Sequence, residues 1–171
     1  MHRLPDKCDE TAISKKYPGR SSLTHDHLLC KAVSITQKRD GYRVGTDSVL
    51  LAASVSDKSG HVLDLGSGVG GVSLCIARRL PEIKITAVEC DLEIADLARQ
   101  NVVNNGFQKR VNVVHSEIAN LPQVFFQNFD HVVCNPPFNF DQGTKPKNIQ
   151  KTLATVGIEG QTGLVAWVKT A

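Results

Sequence analysis

The segment Asp64-Leu65-Gly66-Ser67-Gly68-Val69-Gly70-Gly71 decides the fold. His61-Val62-Leu63-Asp64-Leu65 reads as a short buried strand leading into it. Val72, Ile76 and Leu80 follow at i, i+4 and i+8, one stripe of a helix that Pro81 ends. Glycines let a backbone turn sharply and approach a ligand where a Cβ would collide. Gly66, Gly68 and Gly71 satisfy the dinucleotide spacing, but a lone match of that kind is weak. Two acids sharpen it. Asp64 ends its strand just before the first glycine, where a carboxylate repels a pyrophosphate and attracts an ammonium. Glu89 ends the next strand, Ile83 to Val88, and is placed to accept from both hydroxyls of a ribose. A nucleoside bearing a cation and no phosphate fits this better than a dinucleotide. The competing reading is a plain glycine turn with Asp64 as a helix cap. The order of strand, loop, helix, strand and acid weighs against it.

Working outward, Asp91 opens a helix bearing Ile94, Leu97, Ala98 and Val102, stopped by Asn104-Asn105-Gly106. Val111 to Val114 is a third strand, and His131 to Cys134 a fourth. Strands alternating with helices imply a mostly parallel sheet with right-handed crossovers and helices on both faces, an α/β fold. Upstream, Lys31 to Gln37 alternates like a short strand, Lys38-Arg39-Asp40-Gly41 is a turn signal, and Tyr42-Arg43-Val44 reads as the returning strand of a hairpin. A helix should start near Asp47, capped by its carboxylate, with Val49, Leu50, Leu51, Ala53 and Val55 on a broad apolar face. Residues 1–24 show no periodicity; residues 1–27 are expected to be a polar leader and 28–171 the domain.

Of 171 residues, 41% are hydrophobic and 22% charged, so a packed core is expected and wholesale disorder is not. No apolar run reaches the roughly 18 residues of a membrane span. The polar start, Met1-His2-Arg3-Leu4-Pro5, resembles no secretory signal, so no membrane contact and a cytoplasmic location are expected. Cys8, Cys30, Cys75, Cys90 and Cys134 are scattered and read as reduced thiols; His25, His27 and His61 lack ligand spacing, and no metal is expected. The net charge of +3 hides a pattern. Residues 1–43 hold nine basic against five acidic residues, 44–140 seven against ten, and 141–171 four against two. Basic flanks beside an acidic small-molecule site suit a polyanion such as RNA, although a basic tail is more often simply solvated.

Asn135-Pro136-Pro137-Phe138 leaves the fourth strand at the carboxyl edge, where α/β ligands bind. An exocyclic amine or amide nitrogen is a poor nucleophile because its lone pair is delocalised. The Asn135 side-chain oxygen and the Pro136 carbonyl could each accept one N–H and localise that lone pair. Prolines lack an N–H and stiffen the loop. Phe138 offers a face for stacking a base, worth roughly 1–3 kcal/mol. The bland alternative is an Asn-Pro turn after a strand.

Together these residues resemble a class I S-adenosylmethionine-dependent methyltransferase, a Rossmann-like fold. Asp64 to Gly70 resembles its motif I, and Asn135 to Phe138 the (D/N)PP(Y/F) motif of amino-methylating enzymes. Gly41 to Ala53 resembles the N-terminal segment of the bacterial tRNA(Val) adenine-N6 methyltransferases, also described as a small-domain methyltransferase. The resemblance implies S-adenosylmethionine as cofactor. It places Thr46 and Asp47 by the methionine end, Asp64 at the ammonium, Gly66, Gly68 and Gly70 along the cofactor, Glu89 at the ribose and Glu117 near the adenine amine. It gives Asn135, Pro136, Pro137 and Phe138 to the target base. The family more often has Asp where Glu117 stands. The reaction so implied is methyl transfer to adenine N6 in tRNA or another structured RNA; alternatives are a protein glutamine amide, as in release factors, or a remnant that binds cofactor only. No general base is required, because the amine can shed its proton after transfer, and catalysis would rest on orientation and aligned acceptors.

The fold so implied commonly carries seven strands. Four precede Asn135, and Gly163 to Ala171 resembles the helix before a fifth. The last strands are therefore expected to be lacking, through truncation, a partner chain or second copy covering the open sheet edge, or a relic gene.

Overall fold

The computed structural model describes residues 23–40, 42–121, 123–136, 167–168 and 170–171. In chain order the elements are β1 (Leu23–Leu28), β2 (Val33–Lys38), α1 (Thr46–Ser54), β3 (Ser59–Leu65), α2 (Gly71–Arg79), β4 (Glu82–Glu89), α3 (Leu92–Asn104), β5 (Val111–His115) and β6 (His131–Cys134). Single 3₁₀ turns at Ile118–Asn120 and Gln123–Phe125 lie between β5 and β6. Trp167, Val168 and Thr170 are helical.

Strands β3 to β6 form one parallel sheet in the order β5-β4-β3-β6. The chain steps outward from β3 through β4 to β5, then returns to the other side of β3. That reversal is a topological switch point, which opens a crevice at the carboxyl ends of the strands. Residues of the sheet alternate between two apolar layers, as a period of two requires. Val62, Ile83, Ile85, Ala87, Val111 and Val113 join α2, α3 and β2 in the larger core. Leu63, Leu65 and Val88 face the opposite way and pack with Ile118 and Trp167.

Local signals explain the helix ends. The Asp91 carboxylate accepts from the amides of Glu93 at 2.8 Å and Ile94 at 3.3 Å, the expected cap of α3. Arg110 donates to the carbonyls of Ala77, Leu80 and Ile83, which ties the end of α2 to the start of β4. In α1, Ser48 and Ala52 are buried, as is Val55 just past its end, while Leu50 and Ala53 of the expected apolar face are exposed.

Three expectations need correction. The partner of β2 is β1, paired antiparallel from Leu23↔Lys38 to Leu28↔Val33, and Tyr42 to Val44 is irregular. Residues 23–27 therefore belong to the fold rather than to a leader; residues 1–22 lie outside the described residues. Asp47 does not cap α1. The N-cap position is Gly45, without a side-chain bond, and Asp47 sits in the first turn with its carboxylate engaged elsewhere.

The far edge of β2 is closed by side chains. Asn101 of α3 accepts from the Thr36 amide at 2.8 Å and donates to the Thr36 carbonyl at 2.9 Å. Asn105 does the same for Ser34, at 2.9 and 2.7 Å. Four helical residues advance about 6 Å and two strand residues about 6.7 Å, so asparagines at i and i+4 match strand residues at j and j−2. Asn101 also donates to the Val69 carbonyl at 3.0 Å, which fastens the hairpin to the glycine loop.

Candidate functional site

Four chain segments leave the sheet at the same edge. The register pairs Leu65 with both Val88 and Cys134, and Glu89 with His115. Ser116, Cys90, Gly66 and Asn135 consequently follow one another along the rim of the crevice.

The glycine loop is held by its own backbone. Ser67 donates to the Val88 carbonyl at 2.9 Å and Gly70 to the Ser67 carbonyl at 3.0 Å. Gly66, Gly68 and Gly70 have φ of 67, 57 and 90°, so the tight turn depends on left-handed backbone. A Cβ added at Gly68 would meet nothing within 4 Å among the described residues, which leave this side of the loop open. A Cβ at Gly66 would stand 2.4 Å from the Trp167 ring. The Ser67 hydroxyl is buried and has no hydrogen-bond partner among the described residues.

Asp64 lies beneath the loop, 1% exposed, and accepts from the Ser73 hydroxyl of α2 at 2.6 Å. Burial pushes its carboxyl up to about 6; the Ser73 bonds oppose the rise and the charge of Glu89 adds to it. Glu89 bridges two elements. Its Oε2 accepts from the Gly68 amide at 2.9 Å and its Oε1 from the Asp91 amide at 2.8 Å. Oε1 also accepts from the Cys90 thiol at 3.4 Å, so the lone pair left for another donor is on Oε2. Glu117 follows β5, is exposed, and accepts from Asn120 at 3.1 Å. Thr46 is the exposed first residue of α1.

Across the switch point, Asn135 leaves β6 and meets the segment around α1. Its Nδ2 donates to Asp47 Oδ2 at 2.6 Å and lies 3.3 Å from Tyr42 Oη. The Tyr42 hydroxyl donates to the same Asp47 oxygen at 2.9 Å. Burial disfavours the charge on Asp47, yet the bonds from Tyr42 and Asn135 hold its carboxyl below the ordinary value. Burial, then the bond to Asp47 and its charge, push the Tyr42 phenol up to about 12. At neutral pH the group is thus an ionised carboxylate, a neutral phenol and an amide. Tyr42 was not among the expected site residues; its sequence signal was read as strand. Pro136 follows Asn135 directly, whereas Pro137 and Phe138 lie outside the described residues.

A family model described as "Methyltransferase small domain" matches residues 40–159. The chain belongs to the methyltransferase small-domain family. Among relatives of this methyltransferase chain is a tRNA1(Val) (adenine(37)-N6)-methyltransferase of Haemophilus influenzae (strain 86-028NP), 34% identical over 142 residues, covering 82% of this chain and 61% of the relative. Another of the same name, from Shewanella frigidimarina (strain NCIMB 400), is 38% identical over 124 residues, covering 69% and 49%. The chain thus spans about half to three fifths of the length of these relatives. Two solved structures share its fold. M. jannaschii TYW2 in complex with AdoMet gives a TM-score of 0.56 at 14% identity, covering 68% of this chain and 52% of that one. P. horikoshii TYW2 in complex with MeSAdo gives 0.51 at 20% identity, covering 61% and 39%. The Rossmann-like methyltransferase fold is therefore present. Among the described residues, no helix is long and apolar enough to cross a membrane, and no group of three or more His, Cys, Asp or Glu could hold a metal ion.

Proposed function

We propose that the chain binds S-adenosylmethionine and directs methyl transfer to an exocyclic amine, adenine N6 of a tRNA. The observation that carries this reading is the arrangement at one sheet edge: an open glycine loop with two acids on one side of the switch point, and Asn135 on the other. The residues fit the cofactor. The open side of Gly68 admits a ligand against the backbone, and the unpartnered Ser67 hydroxyl lies in the same loop. Asp64 is a buried carboxylate that an ammonium would stabilise in its charged form. Glu89 would accept from the ribose through Oε2, and through Oε1 once the weak Cys90 thiol bond gives way to a hydroxyl.

When bound, S-adenosylmethionine supplies the methyl group. Asn135 would accept an N–H of the incoming amine, orient the nitrogen and keep its lone pair available. Glu117 stands past β5, beside the β4 exit in the sheet, where it would serve the adenine amine; the Ser116 amide donates to the Glu89 carbonyl at 3.0 Å. The names of the relatives and the basic flanks support tRNA as substrate.

Titration with S-adenosylhomocysteine, followed by incubation with S-adenosylmethionine and tRNA and mass analysis of the nucleosides, tests both halves. One-site binding with a raised melting temperature and formation of N6-methyladenosine are expected; at a hundredfold excess over Kd the stabilisation is about 2.7 kcal/mol. Absence of binding overturns the cofactor reading. Binding without methylated adenine, or with methylation of a glutamine peptide instead, overturns the substrate.

Asp64 also makes the cofactor site pH-dependent. Its folded carboxyl titrates near 6, above the ordinary 3.8, so the free fold binds a proton that the unfolded chain has already lost between those values. This group's contribution to stability therefore falls as pH rises from about 4 to 6. A ligand ammonium needs the ionised form, so affinity runs the other way. Below about pH 6, S-adenosylhomocysteine should weaken by up to tenfold per unit. Calorimetry at pH 7 and pH 5 measures it, and equal affinities would remove Asp64 from the ammonium.

A further inference from the structure

A primary amide has two nearly isosteric ends of opposite polarity. An asparagine that must accept an N–H works in one orientation and fails in the other, because its NH₂ would then confront the substrate's NH₂. Something has to choose between them. An ionised carboxylate accepts hydrogen bonds and donates none. Asp47 Oδ2 stands 2.6 Å from the Asn135 amide nitrogen, so flipping that amide would press an oxygen against a carboxylate oxygen. Tyr42 donates to the same carboxylate oxygen and lies 3.3 Å from the same nitrogen, which joins the three side chains into one group. Among the described residues, none donates to Asn135 Oδ1.

We infer that Asp47, steadied by Tyr42, is a positioning residue that fixes the polarity of the Asn135 amide, nitrogen held inward and oxygen left for the incoming amine. This rests on the reading of Asn135 as the acceptor for the amine, and it assigns Asp47 a role different from a contact with the methionine end of the cofactor. The sequence separation of 88 between Asp47 and Asn135 gives the bond a second effect: the segment entering α1 must be docked before the acceptor is set. Geometry favours the carboxylate over a neutral partner. An asparagine at 47 could offer either end, and the pair would have two orientations of similar energy instead of one. Hydrogen bonds to an ionised partner are also roughly twice as strong as neutral ones.

The test uses the 171-residue chain and three variants, Asp47→Asn, Asp47→Ala and Tyr42→Phe, with Asp47→Glu as a conservative control. The side-chain amide resonances of Asn135 are assigned by their loss in Asn135→Asp. In the wild type, one amide proton should lie well downfield through its bond to the carboxylate. It should return to the free-amide position in Asp47→Ala, move part of the way in Asp47→Asn, and stay close to the wild type in Asp47→Glu. With tRNA as substrate, kcat should fall about 10- to 100-fold in Asp47→Ala, as displaced catalytic groups commonly cost. KM for tRNA and Kd for S-adenosylhomocysteine should stay within about twofold. Tyr42→Phe should move both readouts less than Asp47→Ala. An Asn135 resonance indifferent to Asp47 overturns the inference whether or not the chain methylates tRNA. So does a variant that loses cofactor affinity at unchanged kcat, which would make Asp47 a cofactor contact. A wild type that holds the shifted resonance but methylates no amine keeps the clamp and overturns the reading of Asn135.

Discussion

Replacing Asn135 with alanine will lower methyl transfer by about a hundredfold to a thousandfold while S-adenosylhomocysteine binds within about twofold of the wild type. The magnitude is that of removing one aligned hydrogen-bond partner from a reacting centre. The separation of the two effects follows from the sheet. Asn135 leaves β6, whereas the glycine loop, Asp64, Glu89 and Glu117 assigned to the cofactor lie at the ends of β3, β4 and β5. Removing the amide also deprives Asp47 of its shorter bond, but Tyr42 still donates to that carboxylate. The charge therefore keeps a partner, and the fold should lose no more than about 1–2 kcal/mol. Single-turnover assays beside calorimetric titration measure the two quantities. A variant that transfers methyl at the wild-type rate would dismiss Asn135 from the chemistry, and one that binds no cofactor would place it in the wrong half of the crevice.

The second large effect belongs to Gly66→Ala. Gly66 adopts a φ of 67°, which costs an alanine roughly 1–2 kcal/mol. Its new Cβ would also stand 2.4 Å from Cη2 of the Trp167 ring, so the ring must shift. Trp167 packs with Leu63, Leu65, Val88 and Ile118, and moving it opens a void in that layer. Together the losses should reach about 2–4 kcal/mol, with a weakened cofactor site because the loop itself moves. Urea unfolding reads the first and S-adenosylhomocysteine titration the second. The clash is isolated by the double mutant with Trp167→Ala, where Gly66→Ala should cost only its backbone strain. Additive effects of the two substitutions would show that the ring does not confine the loop.

What could be read without the structure was what the chain writes locally. The α3 cap is an example: Asp91 and the amides it accepts lie within three residues, so sequence order already contains the contact. The four parallel strands were legible because each concentrates Val, Ile or Leu in a short segment, the residues a sheet covered by helices buries. Strand β1 was not, since Thr24-His25-Asp26-His27 carries the polar text of a leader, and its pairing with β2 stands only in three dimensions. Asp47 was misread for a related reason. An acid in a first turn is a common cap, but here Tyr42 and the distant Asn135 compete for the carboxylate and win. Of the residues expected at the site, Asp64, Gly66, Gly68, Glu89, Asp47 and Asn135 lie along or next to the crevice rim, with Glu117 at its β5 end. The partners that hold them, Ser73 and Tyr42, left no local trace, because a serine inside an amphipathic helix and a tyrosine after a turn look ordinary.

The asparagine-closed margin of β2 bears on how this chain behaves among copies of itself. A strand with free amides and carbonyls is a template onto which another chain can add. At Ser34 and Thr36 those groups are already spent on Asn105 and Asn101, so a second strand arriving there finds no vacant rungs. The same device leaves no room for register slippage, since α3 reads two alternate strand positions and no others. A helix thereby guards the hairpin against polymerisation with two amide side chains, one of them, Asn101, buried on its core-facing side.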